Sequence, residues 1–138
     1  MGGFKLLEHT ADVGVVATGD TFAESLGWLA RGMFSVIVDL DGVEPREAVE
    51  VSVTSADRDS LVVDWLNELL YRYEAEGFLP TDFDVAVSEI QDSLAARCLG
   101  EAVDPERHGL LTGVKAATYH ALEVSGNGEW RVQVVLDV

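Results

Sequence analysis

From Val49 to Val138 the chain alternates apolar and polar residues in five separate stretches, and this period-two pattern restricts the fold more than any other feature. Successive side chains of a strand point to opposite faces, so alternation marks a strand with one face on a core and one in solvent. The stretches are Val49, Val51 and Val53; residues 83–90, with Phe83, Val85 and Val87; residues 93–99, with Leu94, Ala96 and Cys98; residues 114–124; and residues 130–138, with Trp130, Val132, Val134, Leu136 and Val138 on one face. Two shorter strands, 4–8 and 13–18, flank a polar turn at His9-Thr10-Ala11-Asp12.

Only two segments have helical spacing. Thr21-Phe22-Ala23-Glu24 has the form of a capping box, and Phe22, Leu26, Leu29, Met33 and Ile37 follow three or four residues apart, which predicts a helix over 22–37. Gly27 and Gly32 weaken it by about 1 kcal/mol each relative to Ala and point to close packing. Asp57 or Asp59 caps a second helix, whose wide apolar face is Leu61, Val62, Trp65, Leu66, Leu69, Leu70 and Tyr73, and Gly77 ends it. Most strands come after the helices, without regular alternation of strand and helix, which argues against a doubly wound parallel sheet. The expectation is an α+β fold: a two-layer α/β sandwich with two amphipathic helices packed on a mostly antiparallel or mixed sheet of six or seven strands. No repeat or linker interrupts the chain, so residues 1–138 read as a single domain.

Charge narrows the function. Acidic residues outnumber basic ones 25 to 9, for a formal net charge of −16. The basic residues are scattered singly, which argues against direct nucleic-acid binding and against an anionic membrane surface. Such a surface suits divalent cations or a basic partner. No apolar run approaches the ~20 residues of a membrane span, and the N-terminus lacks the pattern of a secretory signal. The single cysteine, Cys98, has no internal partner, which favours a reducing compartment and a cytoplasmic location.

Four groups of residues bear chemistry. Asp39, Asp41 and Glu50 echo a calcium loop, but Val43 and Glu44 stand where that loop needs a ligand and a glycine, so a solvated turn is the better reading. His9, Cys98, His108 and His120 lack the tight spacing of structural zinc sites, and Cys98 falls on the apolar face of its strand. There is no Gly-x-Ser-x-Gly elbow, phosphate loop or cysteine among basic residues, and Lys115 reads as an outward strand lysine. The fourth group is Asp12, in the polar turn, with Asp137 and the carboxylate of Val138 beside it. Brought together, these oxygens would make the site Ca²⁺ or Mg²⁺ prefers. Residue pattern alone favours an Asx turn at one end and a frayed strand at the other.

Four motifs, in order along the chain, resemble the archease family: His9-Thr10-Ala11-Asp12-Val13-Gly14; Asp64-Trp65-Leu66-Asn67-Glu68-Leu69-Leu70-Tyr71; Gly113-Val114-Lys115-Ala116-Ala117-Thr118-Tyr119-His120; and Val134-Val135-Leu136-Asp137-Val138. The resemblance implies a non-catalytic activator of an RtcB-type RNA ligase, which joins 2′,3′-cyclic or 3′-phosphate ends to a 5′-hydroxyl in tRNA splicing and RNA repair. It implies promotion of the ligase's guanylylation and multiple turnover. It also implies a divalent metal, calcium ahead of Mg²⁺ or Mn²⁺, held by Asp12, Asp137 and an oxygen of Val138, on an α/β sandwich. Two other classes stay open: a metal-dependent hydrolase or nuclease using Asp12, Asp137 and His120, and a chaperone-like modulator of nucleic-acid-modifying enzymes. The acidic loop over 100–112, with Glu101, Asp104, Glu106 and His108, has no role assigned by sequence.

Overall fold

The protein, seen in a computed structural model, is described over residues 2–8, 12–88 and 90–138. Among these, seven strands and two α-helices follow one another as β1 (Gly3–Glu8), β2 (Asp12–Gly19), α1 (Phe22–Ile37), β3 (Glu47–Thr54), α2 (Arg58–Glu76), β4 (Phe78–Ser88), β5 (Ser93–Ala102), β6 (Ala116–Asn127) and β7 (Glu129–Asp137). The α+β class, the helix count and the strand count agree with the sequence pattern. The strands divide between two antiparallel sheets, one ordered β1-β2-β7-β6 and the other β3-β5-β4. The division follows the chain: β5 turns back between β3 and β4, whereas β7 returns to the N-terminal strands.

Each helix packs against both sheets, α1 on β1, β2, β7 and β4, and α2 on β6, β3 and β4. A helix covered on two sides needs more than one apolar stripe. Helix α1 accordingly buries Ala30, Phe34 and Val36 in addition to the residues of its predicted face. Trp65 of α2 is fully buried, its ring edge-on to Phe83, and its indole N–H donates to the Leu26 carbonyl at 3.0 Å. That bond ties the two helices and satisfies the buried indole donor.

The helix ends obey local chemistry. The Thr21 side chain accepts the Glu24 N–H, and the Glu24 carboxylate reaches back to the Asp20 N–H, one residue before the cap. Asp57, not Asp59, caps α2 by accepting the Ser60 N–H at 2.8 Å, and this bond lowers its pKa. Gly77 takes φ +68 at the C-terminus of α2, where its N–H closes onto the Arg72 and Tyr73 carbonyls.

Strand β6 departs from expectation. The alternation over 114–124 suggests one uninterrupted strand, yet Thr118 stands opposite Val135 while Glu123 stands opposite Gln133. The intervening residues bulge out, with Ala121 at φ 52, and Tyr119 and His120 are exposed. Before the bulge Ala117 is on the buried side; after it Leu122 and Val124 are. An odd shift in register exchanges the faces, which a pattern reading of alternation does not detect.

The two glycines of α1 differ. A Cβ on Gly32 would lie 2.6 Å from Val15 Cγ1 and 3.0 Å from the Phe4 ring, so the helix approaches the sheet there as closely as glycine allows. A Cβ on Gly27 would meet only ordinary contacts, the nearest Phe83 O at 3.6 Å. Gly27→Ala should therefore stabilise by up to about 1 kcal/mol through helix propensity. Gly32→Ala should destabilise by about 1–3 kcal/mol through overpacking. Thermal unfolding of the two variants checks this, and a loss of stability in both would place a packing constraint at Gly27 as well.

Candidate functional site

Strands β2 and β7 are the central pair of the larger sheet, and their register sets Asp12 directly opposite Asp137. Asp12 is the first residue of β2 rather than part of a turn, and Asp137 is the last residue of β7, flanked on its other side by Ala116 of β6. Residues directly opposite in an antiparallel pair project to one face with Cβ atoms ~4.5–5.5 Å apart. Their neighbours Val13 and Leu136 lie on the core side, so the two aspartates are on the outer face, Asp12 half-buried and Asp137 exposed. The Asp137 carbonyl accepts the Lys115 N–H at 2.7 Å, and the exposed Lys115 precedes β6 rather than lying within a strand.

Like charges opposite each other are destabilising unless a cation neutralises them. Two hard oxygen donors on one face are the chemistry that Ca²⁺ or Mg²⁺ takes, so the residues fit such an ion. Among the described residues no three His, Cys, Asp or Glu side chains converge on a metal position. The aspartates are a pair, and a cation between them would need further oxygens from main chain, Val138 or water. His9 and the turn at 9–11 lie outside the described residues.

The other groups resolve differently. The Asp39 side chain accepts the Asp41 N–H at 3.1 Å and caps a short 3-10 turn, Leu40–Gly42, as a solvated turn should. Cys98 is fully buried between Val49 and Phe83 in the three-stranded sheet, and burial pushes its thiol pKa up to about 12, so it is an inert core residue. His120 sits on the β6 bulge, and His108 belongs to an ion network in the segment after β5.

That network is the feature sequence did not reveal. Glu101 is buried, yet its carboxylate accepts the Glu44 N–H at 2.8 Å and His108 Nε2–H at 3.0 Å, with Arg107 and Arg46 on its other oxygen. The Asp104 N–H donates to His108 Nδ1 at 2.8 Å, which assigns the imidazole hydrogen to Nε2. The network anchors a segment that then crosses the end of α1: Leu111 and Thr112 N–H donate to the Ile37 and Val36 carbonyls, and Gly109 O accepts the Asp39 N–H. Helix α1 runs antiparallel to β2, with Gly32 against Val15, so this end of the helix faces the Asp12 end of the sheet. A buried acid needs partners, and the cluster of Glu101, Arg107 and His108 was the available signal.

The fold is that of a small α+β protein in which two helices each bridge two antiparallel sheets and a carboxylate pair marks one end of the central strands. The chain belongs to the archease family: the family model described as "Archease protein family (MTH1598/TM1083)" matches residues 4–138. Similar curated relatives include Protein archease of Methanopyrus kandleri, 38% identical over 135 residues that span 96% of both chains. Protein archease of Methanosarcina acetivorans is 40% identical over 139 residues, covering 98% of this chain and 95% of the relative. The solution structure of Methanobacterium thermoautotrophicum protein 1598 superposes with a TM-score of 0.84 at 35% identity, covering 99% of each chain. No helix among the described residues is long and apolar enough to cross a membrane.

Two measurements probe these groups. The bond from the Glu44 N–H and then that from His108 hold the Glu101 pKa at about 2, below its ordinary 4.5. A depressed pKa contributes stability that is complete above the ordinary value and is lost as pH falls towards about 2. Glu101→Gln should therefore lower Tm near neutrality, with the deficit shrinking through that acid window; a deficit independent of pH would exclude an ionised Glu101 as its cause. In metal-free buffer Asp137→Asn should stabilise by roughly 0.2–1 kcal/mol as it removes one of two facing charges. A fall in Tm there would mean the pair is already compensated.

Proposed function

We propose that this archease-family protein is a non-catalytic activator of an RtcB-type RNA ligase, promoting its guanylylation and multiple turnover in tRNA splicing and RNA repair. The observation that carries the reading is the pairing of Asp12 with Asp137 across the central strands, in a chain whose family is established over its length. In this reading Asp12, Asp137 and an oxygen of Val138 hold a divalent cation, calcium ahead of Mg²⁺ or Mn²⁺. Bound there, the ion would offset the carboxylate repulsion and set one centre of positive charge on an acidic surface.

The protein's own residues supply placement rather than bond-making. Strand β7 holds the backbone of Asp137 between β2 and β6, which supports a site whose carboxylates stand on paired strands. The charge of −16 favours encounter with a ligase whose RNA and nucleotide sites are basic, in a cytoplasmic setting. That surface is poorly suited to holding RNA by itself, which supports a protein partner.

The test is a guanylylation and turnover assay with the RtcB-type ligase of the same organism, GTP and metal, with and without the protein and its Asp12→Ala variant. Stimulation by the wild type that falls at least about tenfold in the variant, with the variant folded, is the expected result. Stimulation retained by Asp12→Ala would remove the metal site from the activity. No stimulation of a competent ligase, or turnover of RNA by the protein alone, would overturn the activator reading in favour of a chaperone-like protein or a hydrolase.

A further inference from the structure

Strand β6 is an outer strand of the larger sheet, and one side chain closes its free edge next to the aspartate pair. Asn67, half-buried in α2, accepts the Ala117 N–H on Oδ1 at 2.8 Å and donates Nδ2–H to the Ala117 carbonyl at 3.2 Å. A single amide thus does for Ala117 what a neighbouring strand would do, satisfying both of its outward backbone groups. Asparagine is a poor helix-interior residue because its side chain competes for backbone bonds, so its presence in mid-helix is explained by these two contacts rather than by propensity.

The residue it grips is close to the candidate centre. Ala117 follows Ala116, which stands opposite Asp137, and Lys115, one step further back, donates its N–H to the Asp137 carbonyl. Asp137 in turn faces Asp12. Three consecutive residues, Lys115, Ala116 and Ala117, therefore connect α2 to the carboxylate pair. Strand β2 braces Asp137 on one side; on the other, β6 starts only at Ala116 and departs from register after Thr118. Backbone pairing alone gives β6 a short hold there.

We infer that Asn67 is a positioning residue for the cation site: it holds the first residues of β6 against β7 and so steadies the strand end on which Asp137 faces Asp12. The inference rests on the metal reading proposed above. Asn67 touches no ion; it acts through Ala117 and the strand that backs Asp137.

The experiment is calcium titration by calorimetry of the wild type, Asp12→Asn, Asn67→Leu and Asn67→Asp, with amide hydrogen exchange at Lys115 and Thr118 measured without metal. Cys98→Ala, a core change in the other sheet, controls for lost stability alone. Asn67→Leu should weaken calcium binding about tenfold, the range of outer partners of metal ligands, and speed exchange at Lys115. Asn67→Asp keeps the acceptor for the Ala117 N–H and should fall between it and the wild type, which also serves if the leucine variant does not fold. Cys98→Ala should lower Tm with calcium affinity unchanged. Wild-type affinity in folded Asn67 variants, with Asp12→Asn still abolishing binding, would overturn the positioning role and leave the metal reading intact. A wild type that binds no calcium, Mg²⁺ or Mn²⁺ would overturn both, and the exchange data would still report whether Asn67 holds β6.

Discussion

The antiparallel pairing of β2 with β7 is the constraint on which the rest depends. It places a strand from the N-terminal region beside the last strand at the centre of a four-stranded sheet, with β1 and β6 outside them. Contacts so distant in sequence are costly in chain entropy, and the fully buried Val15, Ala17, Val132, Val134 and Leu136 supply the apolar burial that offsets it. Helix α1 follows β2 immediately and lies back along it, close enough that Gly32 has no room for a side chain. The carboxylate pair is then a by-product of register: once Val13 faces Leu136, Asp12 must face Asp137.

Much of this was legible in the residues because the signals are local. The cap at Thr21, the glycine at Gly77, the apolar face from Leu61 to Leu70 and the alternation of Trp130 to Leu136 each depend on neighbours a few positions away. What escaped depends on partners far apart in the chain. The strands form two sheets because β5 chooses β3 and β4, and no residue of β5 encodes that choice by itself. The break in β6 is hidden because an alternating sequence still alternates on paper when residues are looped out. The site shows the same limit: Asp12 and Asp137 stood out by type, but only the pairing of β2 with β7 makes them neighbours.

The Glu101 network shows how a charged group earns a buried position. Its carboxylate is surrounded by one backbone donor, an imidazole and two guanidinium groups, so desolvation is matched by hydrogen bonds and charge. The result is mechanical. A segment without regular structure, from Val103 to Lys115, is pinned at its start by Glu101 and His108 and in its middle by the carbonyls of α1. It delivers the chain to Ala116 in register with Asp137.

The irregularity of β6 has a consequence for the chain's behaviour in a crowded solution. A protein with this many alternating segments is rich in material that can pair edge to edge with copies of itself. On this side of the larger sheet the rail is cut twice: Asn67 occupies the backbone of Ala117, and the looped-out residues around Ala121 break the ladder that follows. What remains between the two is too short and too bent to template another strand. Past the bulge only Glu123 to Asn127 stay in the ladder with β7, so the kink that defeats the pattern reading also divides this edge into short pieces.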